Sequence, residues 1–148
     1  MNETMRKFGH PGPLIREYDR WCVLLRPQQA TLGALVLACK DAGTQFSDVS
    51  ADAMAELHAV IGDIEAALGA AFGYDKINYL MLMMVDPDVH FHVLPRYAAA
   101  QTFAGPAGAL EFEDAGWPGP PRLDLATETD ADANAALIDT IKAHWPTP

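Results

Sequence analysis

Cysteine is scarce in this chain, and basic residues are outnumbered two to one. Two cysteines, Cys22 and Cys39, stand among 148 residues. That number builds neither a disulfide framework nor a cysteine-rich zinc site. Both fall in apolar, strand-like segments, where a free thiol behaves as a small hydrophobe, and neither has neighbours of the kind that would activate it as a nucleophile. Ten lysines and arginines against twenty acids leave a net charge of −10. Such a balance excludes a general nucleic-acid binder, which needs a basic footprint. A small anion remains admissible, because one local cation or a set of backbone N–H groups can hold a phosphate. Long hydrophobic runs are also missing. The longest, Tyr79–Val85, has seven residues, against about 20 for a membrane span. The segment Met1–Lys7 lacks the apolar stretch of a signal peptide, so a cytoplasmic protein is expected. No internal repeat is present.

What is there is ample core: half the residues are hydrophobic, and the length suits one domain over residues 1–148. Residues 1–13, ending in His10-Pro11-Gly12-Pro13, read as a mobile or draped arm. Leu14–Arg26 closes on Trp21-Cys22-Val23-Leu24-Leu25, a buried strand. Leu35-Val36-Leu37-Ala38-Cys39 is a second, close enough to pair with the first antiparallel. Ser50 then caps a helix with Asp52 in its first turn. Its apolar positions are Met54, Leu57, Ile61, Ile64, Leu68 and Phe72, one helical face, and Gly73 stops it. His58 beside that face reads as structural or solvated. Lys76–Val85 is expected to be an interior strand, apolar on both faces. Residues 99–128, rich in Gly, Pro and Ala, read as a long ordered loop in which Trp117 packs. Asp130–Trp145 reads as a closing helix with Leu137, Ile138, Ile141 and Trp145 on one side.

The chemistry concentrates in Asp86-Pro87-Asp88-Val89-His90-Phe91-His92-Val93-Leu94-Pro95-Arg96-Tyr97. Strand side chains alternate between faces, so Asp88, His90, His92 and Leu94 share one face while Val89, Phe91 and Val93 take the other and look like core. Titratable groups about 7 Å apart along one strand face gather into a polar site on a rigid element, and imidazole titrates near neutrality. The row is expected to project into a cavity that admits an anion. Asp88 has two readings. It orients or charge-stabilises a neighbouring imidazole, or it joins His90 and His92 as a two-His, one-carboxylate metal set.

The same stretch resembles the signature of the histidine triad (HIT) family, His-φ-His-φ-His-φ-φ with φ apolar, often followed by Pro-Arg. Asp88-Val89-His90-Phe91-His92-Val93-Leu94-Pro95-Arg96 matches it with Asp88 in place of the first histidine. Upstream, Gly33–Lys40 and Phe46–Ser50 resemble the family's Gly-His-x-Leu-Val-Ile-Pro-Lys strand and the entry to its long helix, with Ala34 where the histidine stands. The resemblance covers about residues 14–97. It implies an α+β fold, with an antiparallel sheet of about five strands, one long central helix and a C-terminal helix. It also implies a homodimer without a cofactor that binds a small nucleotide-type substrate. His90 would attack the α-phosphate to give a covalent nucleotidyl-histidine, and His92 would contact phosphate and assist the leaving group. A nucleotide-binding module without turnover is the companion reading, since two of the family's imidazoles are replaced. Arg26 falls near a ribose-contacting position of the family. Asn78, Arg96 and Lys40 complete the candidate substrate contacts. Each has a structural alternative: a backbone tie for Asn78, an ion pair for Arg96, a solvated strand end for Lys40.

Overall fold

The computed structural model of the protein describes residues 2–147; Met1 of the expected arm and the terminal Pro148 lie outside the described residues. Along the chain run α1 (Glu3–Lys7), β1 (Leu14–Glu17), β2 (Trp21–Leu25), β3 (Leu35–Cys39), α2 (Ala51–Phe72), β4 (Lys76–Leu80), β5 (His90–Arg96), β6 (Gln101–Gly105), β7 (Gly108–Phe112) and α3 (Ala131–Ala143). The first five strands form an antiparallel sheet in the order β1-β2-β3-β5-β4. The fold is α+β, as expected.

Local chemistry explains the main boundaries. The Ser50 side chain accepts the Ala53 N–H, and Gly73 takes the left-handed conformation (φ 61°) that ends α2. The face that α2 buries consists of Ala53, Leu57, Val60, Ile64, Ala67 and Leu68. It is rotated from the expected stripe: Ala53 and Ala67 are buried and Met54 is exposed, with Trp21 Nε1 of the sheet donating to the Ala53 carbonyl at 2.8 Å. Asp130 caps α3 by accepting the Ala133 N–H. Leu137 and Ile141 of α3 join the α2 face against Val23, Leu25, Leu35, Leu37 and Val93. Each such side chain contributes about 1.5–3 kcal/mol through its burial.

Three expectations are corrected. The stretch Lys76–Val85 is a strand only to Leu80, and β4 lies at the sheet edge. The Met-rich continuation leaves the ladder, with Leu82, Met84 and Val85 exposed. Residues 99–128 are not one loop. They contain the β6–β7 hairpin, paired from Gln101↔Phe112 to Gly105↔Gly108, whose turn uses the positive φ of Gly108 (129°). The N-terminal arm is draped, as one alternative had it, but part of it is helical. Asn2 caps α1 by accepting the Met5 N–H.

The sheet's second face positions the site. Cys22, Leu24, Val36 and Ala38 form a small core there with Met5, Phe8 and Leu14. Ala34 and Leu94 do the same with Ala30, Leu80 and Leu123. The two histidines project from this face between the two clusters. Both cysteines are free and buried, and burial pushes the Cys22 thiol up to about 12, which leaves it unreactive.

Candidate active site

Strand parity places His90 and His92 side by side on β5, opposite Ala38 and Val36 of β3. Their ring centroids are 5.2 Å apart, edge to face. The Nδ1 of His90 lies 2.7 Å from the backbone carbonyl oxygen of Asp88. A carbonyl only accepts, so Nδ1 carries the hydrogen. In the neutral ring the lone pair therefore sits on Nε2, and Nε2 is buried without a partner among the described residues. The Nδ1 of His92 is likewise buried and unpartnered. Burial, then the nearby Arg26 guanidinium and His90, push the His92 imidazole down to about 4, so it is neutral at pH 7.

Arg26 follows β2 on the same face. It is buried, its Nη1 donates to the Gln28 carbonyl at 2.7 Å, and its Nε has no partner among the described residues. Burial of the charge lowers its pKa. Its loop is braced by Gln29, whose amide donates to the Arg26 and Ala34 carbonyls and whose oxygen accepts the Gly33 N–H. Gly33 has φ +85°, and a Cβ there would sit 2.9 Å from the Phe72 ring; this position requires glycine. The neutral His92 ring, the free lone pair of His90 and one buried cation with no carboxylate partner among the described residues make a buried cluster that favours an anion.

The imidazoles do not open into a cavity as the sequence suggests. His90 is 0% exposed and His92 7%, because the N-terminal arm lies over them. The Phe8 ring is 6.2 Å from His90 and 5.9 Å, edge to face, from His92. Asp88 is corrected too. Its carboxylate accepts the Thr4 N–H at 3.0 Å, and its own N–H donates to Thr4 Oγ1 at 3.3 Å. It is the backbone of Asp88 that orients His90. With the carboxylate held by Thr4, the Asp88, His90 and His92 metal set does not form, and among the described residues no group of three His, Cys, Asp or Glu is arranged to hold a metal ion.

Three further candidates lie away from the imidazoles. Arg96 is an internal strut: its Nε and Nη2 donate to the two oxygens of Asp114 at 2.6 and 3.1 Å, Nη1 to the Asn78 amide oxygen and Nη2 to the Gly119 carbonyl, both at 2.7 Å. Asn78 is thereby a tie. The Lys40 ammonium donates to the Tyr18 carbonyl and pairs with Glu17 at 3.4 Å. Sequence reasoning missed Thr4, Lys7, Phe8, Asp86 and Asp114. Only Met5 and Phe8, three apart after the capping Asn2, left a signal, that of one helical turn.

An antiparallel sheet backed by a long helix, with a pair of strand imidazoles on its other face, defines the class. Residues 15–99 match the HIT domain, and the chain belongs to the HIT family. No curated protein matches it in sequence. Its fold is similar to those of solved HIT proteins. One, from Sinorhizobium meliloti 1021, is 19% identical with a TM-score of 0.74, over 97% of this chain and 95% of that one. Another, from Marinobacter aquaeolei VT8, is 18% identical with a TM-score of 0.74, over 98% and 94%. A hypothetical histidine triad nucleotide-binding protein from Sulfolobus tokodaii strain7 is 16% identical with a TM-score of 0.67, over 95% and 88%. Among the described residues no helix is long and apolar enough to cross a membrane.

Proposed function

We propose that the protein binds a nucleoside phosphate conjugate and transfers its nucleotidyl group through His90. The observation that carries this reading is the hydrogen bond from His90 Nδ1 to the Asp88 carbonyl, which leaves a lone pair on an Nε2 with no competing partner. A neutral imidazole with a fixed tautomer is a competent nucleophile, and a covalent intermediate divides one hard step into two. In the first step the Nε2 lone pair forms a bond to the α-phosphorus. The bond to the leaving group breaks, and that group departs with the electron pair and is protonated from water. In the second, water adds to phosphorus and gives up a proton to solvent, which balances the one taken in the first step; the P–N bond breaks and returns its pair to Nε2, and the nucleoside monophosphate leaves. Arg26 supplies positive charge beside the phosphoryl oxygens, where a low-dielectric pocket strengthens its effect. His92, kept neutral, offers one N–H without adding a competing positive charge. The nucleotide-binding description of the Sulfolobus tokodaii neighbour and the family itself support the substrate class.

The second reading, nucleotide binding without turnover, is favoured by the covered imidazoles and by Ala34 and Asp88 at family histidine positions. Incubation with a nucleoside phosphoramidate and a dinucleoside polyphosphate panel separates the two. A nucleotidyl adduct seen by intact mass, lost in His90→Ala, is the expected result. Calorimetric affinity without adduct or product leaves the second reading, and neither affinity nor product rejects both. The reading includes a homodimer, supported by edge strand β4 and the exposed Leu82, Met84 and Val85 beside it. Sedimentation at a single monomer mass would contradict that part.

A further inference from the structure

The chain covers its own imidazole pair with its N-terminus, and the residue that departs from the family motif joins the two. We propose that residues 2–13 are a built-in cap over His90 and His92, held shut by Asp88 as its latch and displaced when the ligand enters. The ligand half rests on the nucleotide reading above; the cap half rests on geometry alone.

Four contacts seat the cap. The Asn2 amide donates to the Cys39 carbonyl at 2.7 Å. Thr4 and Asp88 exchange two hydrogen bonds, backbone to side chain in each direction. The Lys7 ammonium meets Asp86 at 2.6 Å. Met5 is buried among Cys22, Leu24, Val36 and Ala38, with Phe8 packed beside it. Phe8 is the residue that lies over both rings.

The cap is suited to release. Five helical residues are too few to hold a helix in water without tertiary contacts, so α1 is seated on the sheet or lost. Two of its anchors, Asp86 and Asp88, come from the irregular segment leading into the histidine strand. Beneath the cap remain polar atoms that a folded interior normally satisfies, His90 Nε2, His92 Nδ1 and Arg26 Nε. A phosphate answers that need; a phenyl ring does not. A phosphate arriving there also competes with Asp86 for Lys7, which lies within electrostatic reach of His92. The replacement of the first family histidine by Asp88 thereby acquires a physical role: a third ring is exchanged for a carboxylate that accepts a main-chain N–H of the cap.

Diethyl pyrocarbonate modification, followed residue by residue by peptide mass spectrometry, tests the cap without any nucleotide. The exposed His58 and His144 are internal references. In the wild type, His90 and His92 should react at least tenfold more slowly than the references. Asp88→Ala removes one charge-assisted hydrogen bond and should speed both by roughly tenfold, the equivalent of that bond. Asp88→Asn, which keeps an acceptor oxygen, should stay nearer the wild type. Phe8→Ala should also expose the rings, and carries the test if Asp88→Ala does not fold. Wild-type imidazoles as reactive as the references would overturn the cap, as would imidazoles that stay slow in both alanine variants. Nucleoside 5′-monophosphates should then protect His90 in the opened variants. Reactive rings that none of the four monophosphates protects would overturn the nucleotide reading and leave the cap standing.

Discussion

Removal of the Asp114 carboxylate should be the most damaging single change outside the hydrophobic core. Arg96 and Asp114 are 5% and 1% exposed at their side chains and meet through two hydrogen bonds. The Tyr97 N–H also donates to Asp114, at 3.2 Å. In Asp114→Ala the guanidinium stays buried with only the Asn78 oxygen and the Gly119 carbonyl for partners. Breaking one side of such a pair costs about 3–5 kcal/mol, because the surviving charge is uncompensated. For a chain of this length, that lowers Tm by roughly 10 °C. Replacing both partners by apolar residues, as in Arg96→Met with Asp114→Leu, should recover much of the loss, since no buried charge remains. Urea unfolding of the wild type, the single variant and the double variant measures all three. If Asp114→Ala loses less than about 1 kcal/mol, or the double variant is no better than the single, the strut does not hold an uncompensated charge at a cost to stability.

Three other outcomes follow from the site. Because the folded His92 imidazole titrates near 4 against about 6.5 unfolded, its contribution is complete above pH 6.5. It is lost as pH falls from 6.5 to 4, by up to about 3 kcal/mol. Urea midpoints across that range should show the slope, and His92→Gln should flatten it. Arg26 costs stability while it waits for an anion, so Arg26→Met should raise the unfolding free energy from urea melts by about 1–2 kcal/mol while calorimetry shows weakened nucleotide affinity; a loss of stability would contradict the unpartnered charge. Gly33→Ala combines a left-handed backbone with a clash on Phe72 and should cost about 1–3 kcal/mol, read as a lower Tm.

The parts of this fold legible in the sequence are those with local punctuation. Ser50, Asp52 and Gly73 mark the ends of α2, and the unbroken run Leu35–Cys39 marks β3. Period-two alternation put His90 and His92 on one face and Val89, Phe91 and Val93 in the core, where Val89 and Val93 are buried and Phe91 packs beside them. Two pairings depended on distant partners and were not legible. Asp88 shares the histidine row by parity, but its partner Thr4 lies 84 residues away. Arg96 and Asp114 are 18 residues apart, across a hairpin. That hairpin is hard to see because its strands are short and Thr102, Phe103, Leu110 and Phe112 are diluted by Ala104, Gly105, Gly108 and Ala109, residues of low strand preference around the turn. The Met-rich run after Leu80 has no turn residue before Asp86, so nothing in it signals that β4 has ended.

A crystal structure with a bound nucleoside monophosphate decides whether His90 is the nucleophile beneath a displaceable cap. The phosphorus should lie within about 3–3.5 Å of His90 Nε2, with Arg26 beside a phosphate oxygen and Phe8 displaced from the rings. A nucleotide bound elsewhere, with Phe8 still seated over a buried Nε2, would contradict that assignment.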